Sequence, residues 1–325
     1  MKRNIAFILI IIFVILVIAA TPFIGTVKIP IAAVKDFELI TTAGKIFYSL
    51  RLPRVFTAFL AGAALACCGA ALQAMFKNPL ATPFTLGISG GAAFGAAIYV
   101  IFAGFLQICC GGILFSFAGA LGAVLLVYGL TKIKKGFSVG TMLLAGIAVN
   151  FFFSSLILLL QYISDFTQSF RIIHWLMGSV DAVGYVTPGF MAAFTAAGAL
   201  IIISQGSNLN LMSISDEIAI TRGVNIRRTR KIIFLATSAM VAAVVAFCGP
   251  IGFVGLMAPH ICRLLVGPDH KMLTPASILF GGAFLVLCDT IARTLIAPAE
   301  IPIGVITALL GGPFFVLLLI RESYE

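Results

Sequence analysis

The stretch RLPRVFTAFLAGAALACCGAALQAMF, residues 51–76, decides the fold. Two arginines bracket a proline, and no charged residue follows Arg54 until Lys77. A helix needs about 20 apolar residues to cross the hydrocarbon of a bilayer, so this run is long enough to span one. Within it Ala58, Gly62, Ala66, Ala70 and Ala74 recur every four residues. They line one helix face with small side chains, against which a neighbouring backbone can pack closely.

The pattern extends along the whole chain. Hydrophobic residues make up 61% of it and charged residues 10%, with a mean hydropathy of +1.17. A soluble domain carries about a quarter of its residues charged, so the chain reads as an all-α polytopic membrane protein. Residues 78–131, 136–164, 182–215, 232–259, 272–288 and 301–320 contain no Asp, Glu, Lys, Arg or His, and each gap holds one or two spans. Ten apolar segments result, at roughly 5–24, 55–75, 84–104, 112–131, 139–162, 187–205, 230–248, 251–266, 273–291 and 303–320. The first resembles a signal peptide, but its apolar run exceeds the usual ~7–15 residues, so it reads as a retained helix. The eighth opens with GPIGFVGL and meets Pro259. It is too rich in Gly and Pro for a plain span, and a re-entrant stretch followed by a short helix is expected there. A second small-residue stripe, Gly87, Gly91 and Gly95, marks the third segment. The seven cysteines, at 67, 68, 109, 110, 248, 262 and 288, lie in or beside apolar runs without metal-ligand spacing and read as small core hydrophobes.

Orientation follows from the basic residues, which concentrate on the cytoplasmic side of membrane proteins. With ten spans and the N-terminus inside, Lys2, Arg3, Lys77, Lys132, Lys134, Lys135, Arg222, Arg227, Arg228, Arg230, Lys231, Arg263, Lys271 and Arg321 fall inside, 14 of the 21 lysines and arginines. Lys28, Lys35, Lys45, Arg51, Arg54, Arg171 and Arg293 fall outside. Both termini are therefore expected in the cytoplasm. The net charge of +10 is a topological signal of this kind rather than a nucleic-acid footprint, because the basic residues form short clusters between apolar runs. Arg51 and Arg54 are exceptions to the trend. By spacing alone they either snorkel to headgroups at a helix start, with Pro53 in the first turn, or serve an outside partner.

The one sizeable inner loop of mixed charge is MSISDEIAITRGVNIRRTRK, 212–231. Ser213 followed by Asp216 fits an N-cap, Ile214 and Ile218 share a face, and Gly223 can end the helix. Such a short amphipathic helix is either an interfacial anchor or a docking element for a cytoplasmic partner. His174, His260 and His270 are far apart and match no metalloenzyme pattern, and no GxxxxGK[ST] phosphate loop exists. ATP, if it drives transport, is bound by another subunit, and no cofactor is expected on this one. Every Asp and Glu lies in a loop or near a helix end, Asp289 being closest to an exception, which weighs against a stand-alone secondary transporter. A membrane enzyme lacks any clustered nucleophile, base or metal ligands.

Read together, RLPRVFTAFLAGAALACCGAALQAMFKNPLATPFTLGISGGAAFGA (51–96), LLAGIAVN (143–150), HWLMGS (174–179), SISDEIAITRGVNIRRTR (213–230), GPIGFVGLMAPHICRLLVGPDHK (249–271) and AEIPIGVITALLGGPFF (299–315) resemble the permease subunit of the type II ABC importers for iron siderophores, haem and vitamin B12. The match runs in order from about residue 50 to the end. It implies one permease domain over 1–325 with ten helices, working as a homodimer with two ATPase subunits below and an extracytoplasmic substrate-binding protein above. It also implies the cytoplasmic membrane of a prokaryote as the location. Residues 213–225 correspond to the coupling helix that seats in the ATPase, with Ser213, Asp216, Glu217, Ile218, Ala219, Arg222 and Gly223 at its core. The positions of Arg51, Arg54 and Arg293 are those whose arginines pair, in the relatives, with glutamates of the binding protein.

The implied mechanism is ATP-driven alternating access, in which the fifth and tenth helices, here 139–162 and 303–320, line a central path. Asn150 is the polar residue of the fifth expected to face it, against a helix–helix hydrogen bond as the other reading. A ferric siderophore is the expected cargo because it is the commonest in the family. Cobalamin, haem or molybdate would use the same machinery.

Overall fold

The computed structural model describes residues 2–36, 39–106, 108, 110–133 and 138–322; Cys109, Lys134 and Lys135, read above from sequence, lie outside them. All ten apolar segments are helices: α1 Lys2–Ala20, α3 Leu52–Phe76, α4 Ile88–Leu106, α5 Gly111–Ile133, α6 Val139–Ile163, α8 Val186–Ser204, α11 Ile226–Cys248, α12 Val254–Val266, α13 His270–Thr294 and α14 Ile303–Glu322. Four further helices stand between them: α2 Thr42–Ile46, α7 Phe166–Leu176, α9 Gly206–Ile214 and α10 Asp216–Thr221. Among the described residues seven runs are long and apolar enough to cross a membrane, and Ile88–Ala103, Val254–Val266 and Ile303–Leu318 are shorter apolar helices. Among the described residues there is no strand.

The third helix is the centre of the bundle. Of the most apolar window in Thr42–Phe76, 83% is buried, against 28% in α5 and in α6, whose outer faces are thus left for lipid or a partner chain. The small-residue stripes explain how neighbours come so near. A Cβ added at Gly62 of α3 would lie 2.2 Å from the Gly281 carbonyl oxygen of α13, and one at Gly91 would lie 2.4 Å from the Gly119 carbonyl oxygen of α5. Backbone meets backbone at both crossings, which only glycine permits.

Proline punctuation shapes both ends of this core. Pro53 has no N–H to donate to Ser49 four residues earlier, the chain takes a π-turn over Phe47–Arg51, and the released Ser49 carbonyl accepts Gly184 N–H at 3.0 Å. Pro259 does the same inside α12. The Gly255 carbonyl it leaves free accepts from Gln73 Nε2 at 3.4 Å, and Gln73 Oε1 in turn accepts from Arg263 Nη2 at 3.1 Å. The expected re-entrant stretch is therefore residues 249–253, and Pro259 lies within the short helix that follows.

Irregular backbone inside a membrane needs partners within the protein. Here Ser179 N–H donates to the Cys248 carbonyl at 2.8 Å, while Ile303 and Gly304 N–H donate to the Gly178 and Met177 carbonyls at 3.1 Å each. HWLMGS is thus tied by main-chain bonds both to the end of α11, just before GPIGF, and to EIPIG. Five cysteines, at 67, 68, 248, 262 and 288, are buried as expected, but Cys110 is exposed, because it sits with φ +59° in the turn between α4 and α5.

Candidate functional site

The two ends of α3, about 37 Å apart for 25 residues, carry the charged constellations. At its start, Arg54 grips Asp289 with two nitrogens: Nε lies 3.0 Å from Oδ1 and 3.1 Å from Oδ2, and Nη2 lies 2.9 Å from Oδ1. Its remaining Nη1 reaches Glu300 Oε2 at 2.9 Å. Arg293, one helical turn beyond Asp289 on α13, donates to the Thr21 carbonyl at 2.7 Å and to that of Ile24, with its Nε 3.6 Å from Asp289 Oδ2. Arg51 donates to the same Ile24 carbonyl and to that of Val27 at 3.4 Å. A cavity of about 310 Å³ beside them is lined by all three arginines with Asp181 and Glu300.

The sequence reading turned all three arginines outward. In the structure Arg51 and Arg293 are buried, at 9% and 5% exposure, with their Nη atoms donating to main-chain carbonyls of residues 21–27, and Arg54 keeps an exposed edge. Asp289 corrects a second expectation. It is an acid 1% exposed within a span, but two guanidinium groups hold it, so it is a fixed counter-ion rather than a free proton carrier. Sequence reasoning missed both acids as arginine partners. The Asp289–Arg293 spacing of four residues on one helix was the available signal.

At the other end of α3, Lys77 meets α10. Asp216, the first residue of α10, pairs with Lys77 Nζ at 2.9 Å and with Arg230 Nη2 of α11 at 2.7 Å. Partial burial alone would raise the Asp216 pKa, but these two cations hold it below its ordinary 3.8. The expected single helix over 213–225 is instead two, because Ser215, in extended backbone, breaks the chain and caps α10. Its Oγ accepts Glu217 and Ile218 N–H at 3.1 and 3.4 Å and donates to the Glu217 carboxylate at 2.8 Å. Ser213 belongs to the end of α9, where its hydroxyl donates to the Asn210 carbonyl at 2.8 Å. Gly223, at φ +82°, does end the helix just past the Arg222 C-cap. Its N–H bonds Ile220 O and that of Val224 bonds Ala219 O, both at 2.9 Å, the paired closure of a Schellman end. Ala219 is fully buried against the bundle, whereas Ile214, Ile218 and Ile220 stand 66%, 41% and 61% exposed.

Between these ends an open cavity of about 650 Å³ is walled by Phe84, Met177, Pro250, Phe253, Val305 and Leu309, among other apolar groups. Helix α14 contributes Val305 and Leu309 to this wall and α6 none of its lining; Asn150 Oδ1 lies beside Gly90 of α4, where a Cβ would come within 2.6 Å of it. Among the described residues no group of three or more His, Cys, Asp or Glu is arranged to hold a metal.

A bundle of ten apolar helices, broken at membrane depth beside an apolar cavity and charged at both ends, defines a polytopic membrane permease. The chain belongs to the FecCD transport family, whose model matches residues 8–321. The cobalamin import system permease of Halobacterium salinarum is 38% identical over 288 residues, covering 89% of this chain and 77% of that protein. The hemin transport system permease of Yersinia pestis is 36% identical over 283 residues, covering 86% and 84%. A solved ABC transporter, described as of metal-chelate type and inward-facing, superposes with a TM-score of 0.85 at 31% identity, covering 98% of this chain and 99% of that one. The chain is thus a type II ABC importer permease, a transport subunit rather than an enzyme, and the ATPase is a separate protein.

Proposed function

We propose that two copies of this chain form the transmembrane path of a binding-protein-dependent importer in the cytoplasmic membrane of a prokaryote, moving a metal chelate, first of all a ferric siderophore, inward. Both termini lie in the cytoplasm. Two ABC ATPase subunits seat on α10, and an extracytoplasmic substrate-binding protein docks at the Arg54 end. The observation that carries this reading is α10 itself. A capped six-residue helix, pinned through Asp216 to α3 and α11, presents exposed isoleucines away from the bundle. An interfacial anchor needs no such bracing; a transmitter of motion between an ATPase and two core helices does. ATP binding on the partner moves α10, α10 moves α3 and α11, and the cavity opens alternately to the two sides.

The cavity wall supports a chelate as cargo, and the siderophore is preferred among chelates because it is the commonest in the family. Apolar side chains give a bulky chelate with an apolar exterior a loose seat, whereas a bare oxyanion entering the same space loses hydration without compensating donors. The same machinery carrying cobalamin, haem or molybdate is the alternative. The test is ATPase activity of the purified permease–ATPase complex in lipid, with its substrate-binding protein loaded in turn with ferric siderophore, haem, cobalamin or molybdate, alongside uptake of each. Stimulation and uptake together by the siderophore are expected. Activity indifferent to the binding protein, with no uptake of any, refutes the importer reading and revives a secondary carrier.

A further inference from the structure

The Arg54 guanidinium, on which docking of the binding protein falls in the reading above, is already occupied, and by two unlike carboxylates. Asp289 is 2% exposed at its side chain and takes Nε and Nη2 side-on. Glu300 is 50% exposed and takes only Nη1, through a single oxygen at 2.9 Å. Breaking the first contact strands a buried charge, which is costly; breaking the second returns a carboxylate to water, which is cheap.

We propose that Glu300 is a resident carboxylate holding on Arg54 the place that a carboxylate of the binding protein takes on docking, and that Asp289 is the positioning residue that fixes where this exchange happens. The inference rests on the docking reading and adds its order of events. At rest Arg54, only 18% exposed, needs a counter-ion on each edge, and Glu300 supplies the outer one. When the partner arrives, one carboxylate replaces another on Nη1, so the guanidinium is paired throughout and the net charge of the contact is conserved. The displaced Glu300 still borders the cavity lined by Arg51 and Arg293, so its charge stays beside cations. Asp289 meanwhile cannot leave, which keeps Nη1 aimed outward. An amide or hydroxyl on the partner cannot win the exchange, because it offers no charge to match the one it displaces. Glu300 thus selects for acidic partners and weakens their binding by the cost of its own removal.

The experiment uses the full permease–ATPase complex in nanodiscs, titrated with its substrate-binding protein. With Glu300→Gln, docking should tighten about two- to fivefold, the effect of removing a half-exposed competitor. Arg54→Ala should weaken docking, and adding Glu300→Gln to it should change nothing further, since the competitor then has nothing to occupy. If Arg54→Ala weakens docking but Glu300→Gln leaves it unchanged or weaker, the exchange is refuted while the docking surface stands. If Arg54→Ala has no effect, the docking reading itself fails and the exchange with it. Glu300→Ala repeats the first arm should the glutamine variant fail to assemble.

Discussion

Replacing Asp216 by asparagine removes one charge from the brace between α10 and the bundle while keeping the side chain's shape. Two contacts are lost as ion pairs. That to Lys77 joins side chains 34% and 36% exposed, and such a pair contributes roughly 0–1 kcal/mol. That to Arg230, whose side chain is 9% exposed, is a charge-assisted bond to a mostly buried partner, in the range of about 1.5–3 kcal/mol. Asparagine keeps a weaker bond to one of them, so the brace loses about 2 kcal/mol, roughly a thirtyfold rise in the detached population of α10. Ile214, Ile218 and Ile220 are untouched, so the ATPase should still assemble and hydrolyse ATP. Cargo moved per ATP, measured in proteoliposomes, should fall. Unchanged transport per ATP in the variant refutes α10 as a braced transmitter. The pH dependence has a definite sign. A carboxyl whose folded pKa lies below 3.8 contributes stability that is complete above 3.8 and is lost only as pH falls through the lower folded value. Coupling through this contact should therefore be flat over roughly pH 5 to 8.

Two further substitutions test the packing and the interface. Gly69→Ala places a methyl 1.7 Å from the Gly255 carbonyl oxygen and forces α3 from α12; a loss of about 1–3 kcal/mol and a lowered melting temperature of the purified complex are expected, and an unaltered one refutes the backbone contact. Ile218→Asp puts a charge on the exposed face of α10 and should cost at least about tenfold in ATPase affinity, read by co-purification; full retention shows that the ATPase seats elsewhere.

Ten apolar segments were legible because each is bounded by charge or by Gly and Pro, and all ten are helices. What escaped was of another kind. Helix α7 lies between two spans and carries both polar and apolar residues, so it offers no apolar run; its start is set by an Asp165–Gln168 capping box. A short helix was legible in the 212–231 loop, but its cap is Ser215 rather than Ser213, since both serines satisfy the local pattern. The arginines stood out in the sequence, yet their directions depend on carbonyls some 24 to 272 positions away, which no spacing rule reaches. The prolines were read as boundaries, whereas their larger effect is to release Ser49 and Gly255 carbonyls that distant residues then claim.

The carbonyl of Ile24 receives both Arg51 and Arg293, and the neighbouring carbonyls of Thr21 and Val27 share the task. What this contact demands of residues 21–27 is the course of the main chain and one glycine, since a Cβ on Gly25 would lie 1.9 Å from Arg51 Nη1. Substitutions of the exposed Ile24 and Val27 side chains should be quiet, whereas Gly25→Ala, or a single inserted or deleted residue, should not. Two of the most deeply set charges in the protein therefore rest on acceptors that any letter could supply, held close by one that only glycine can.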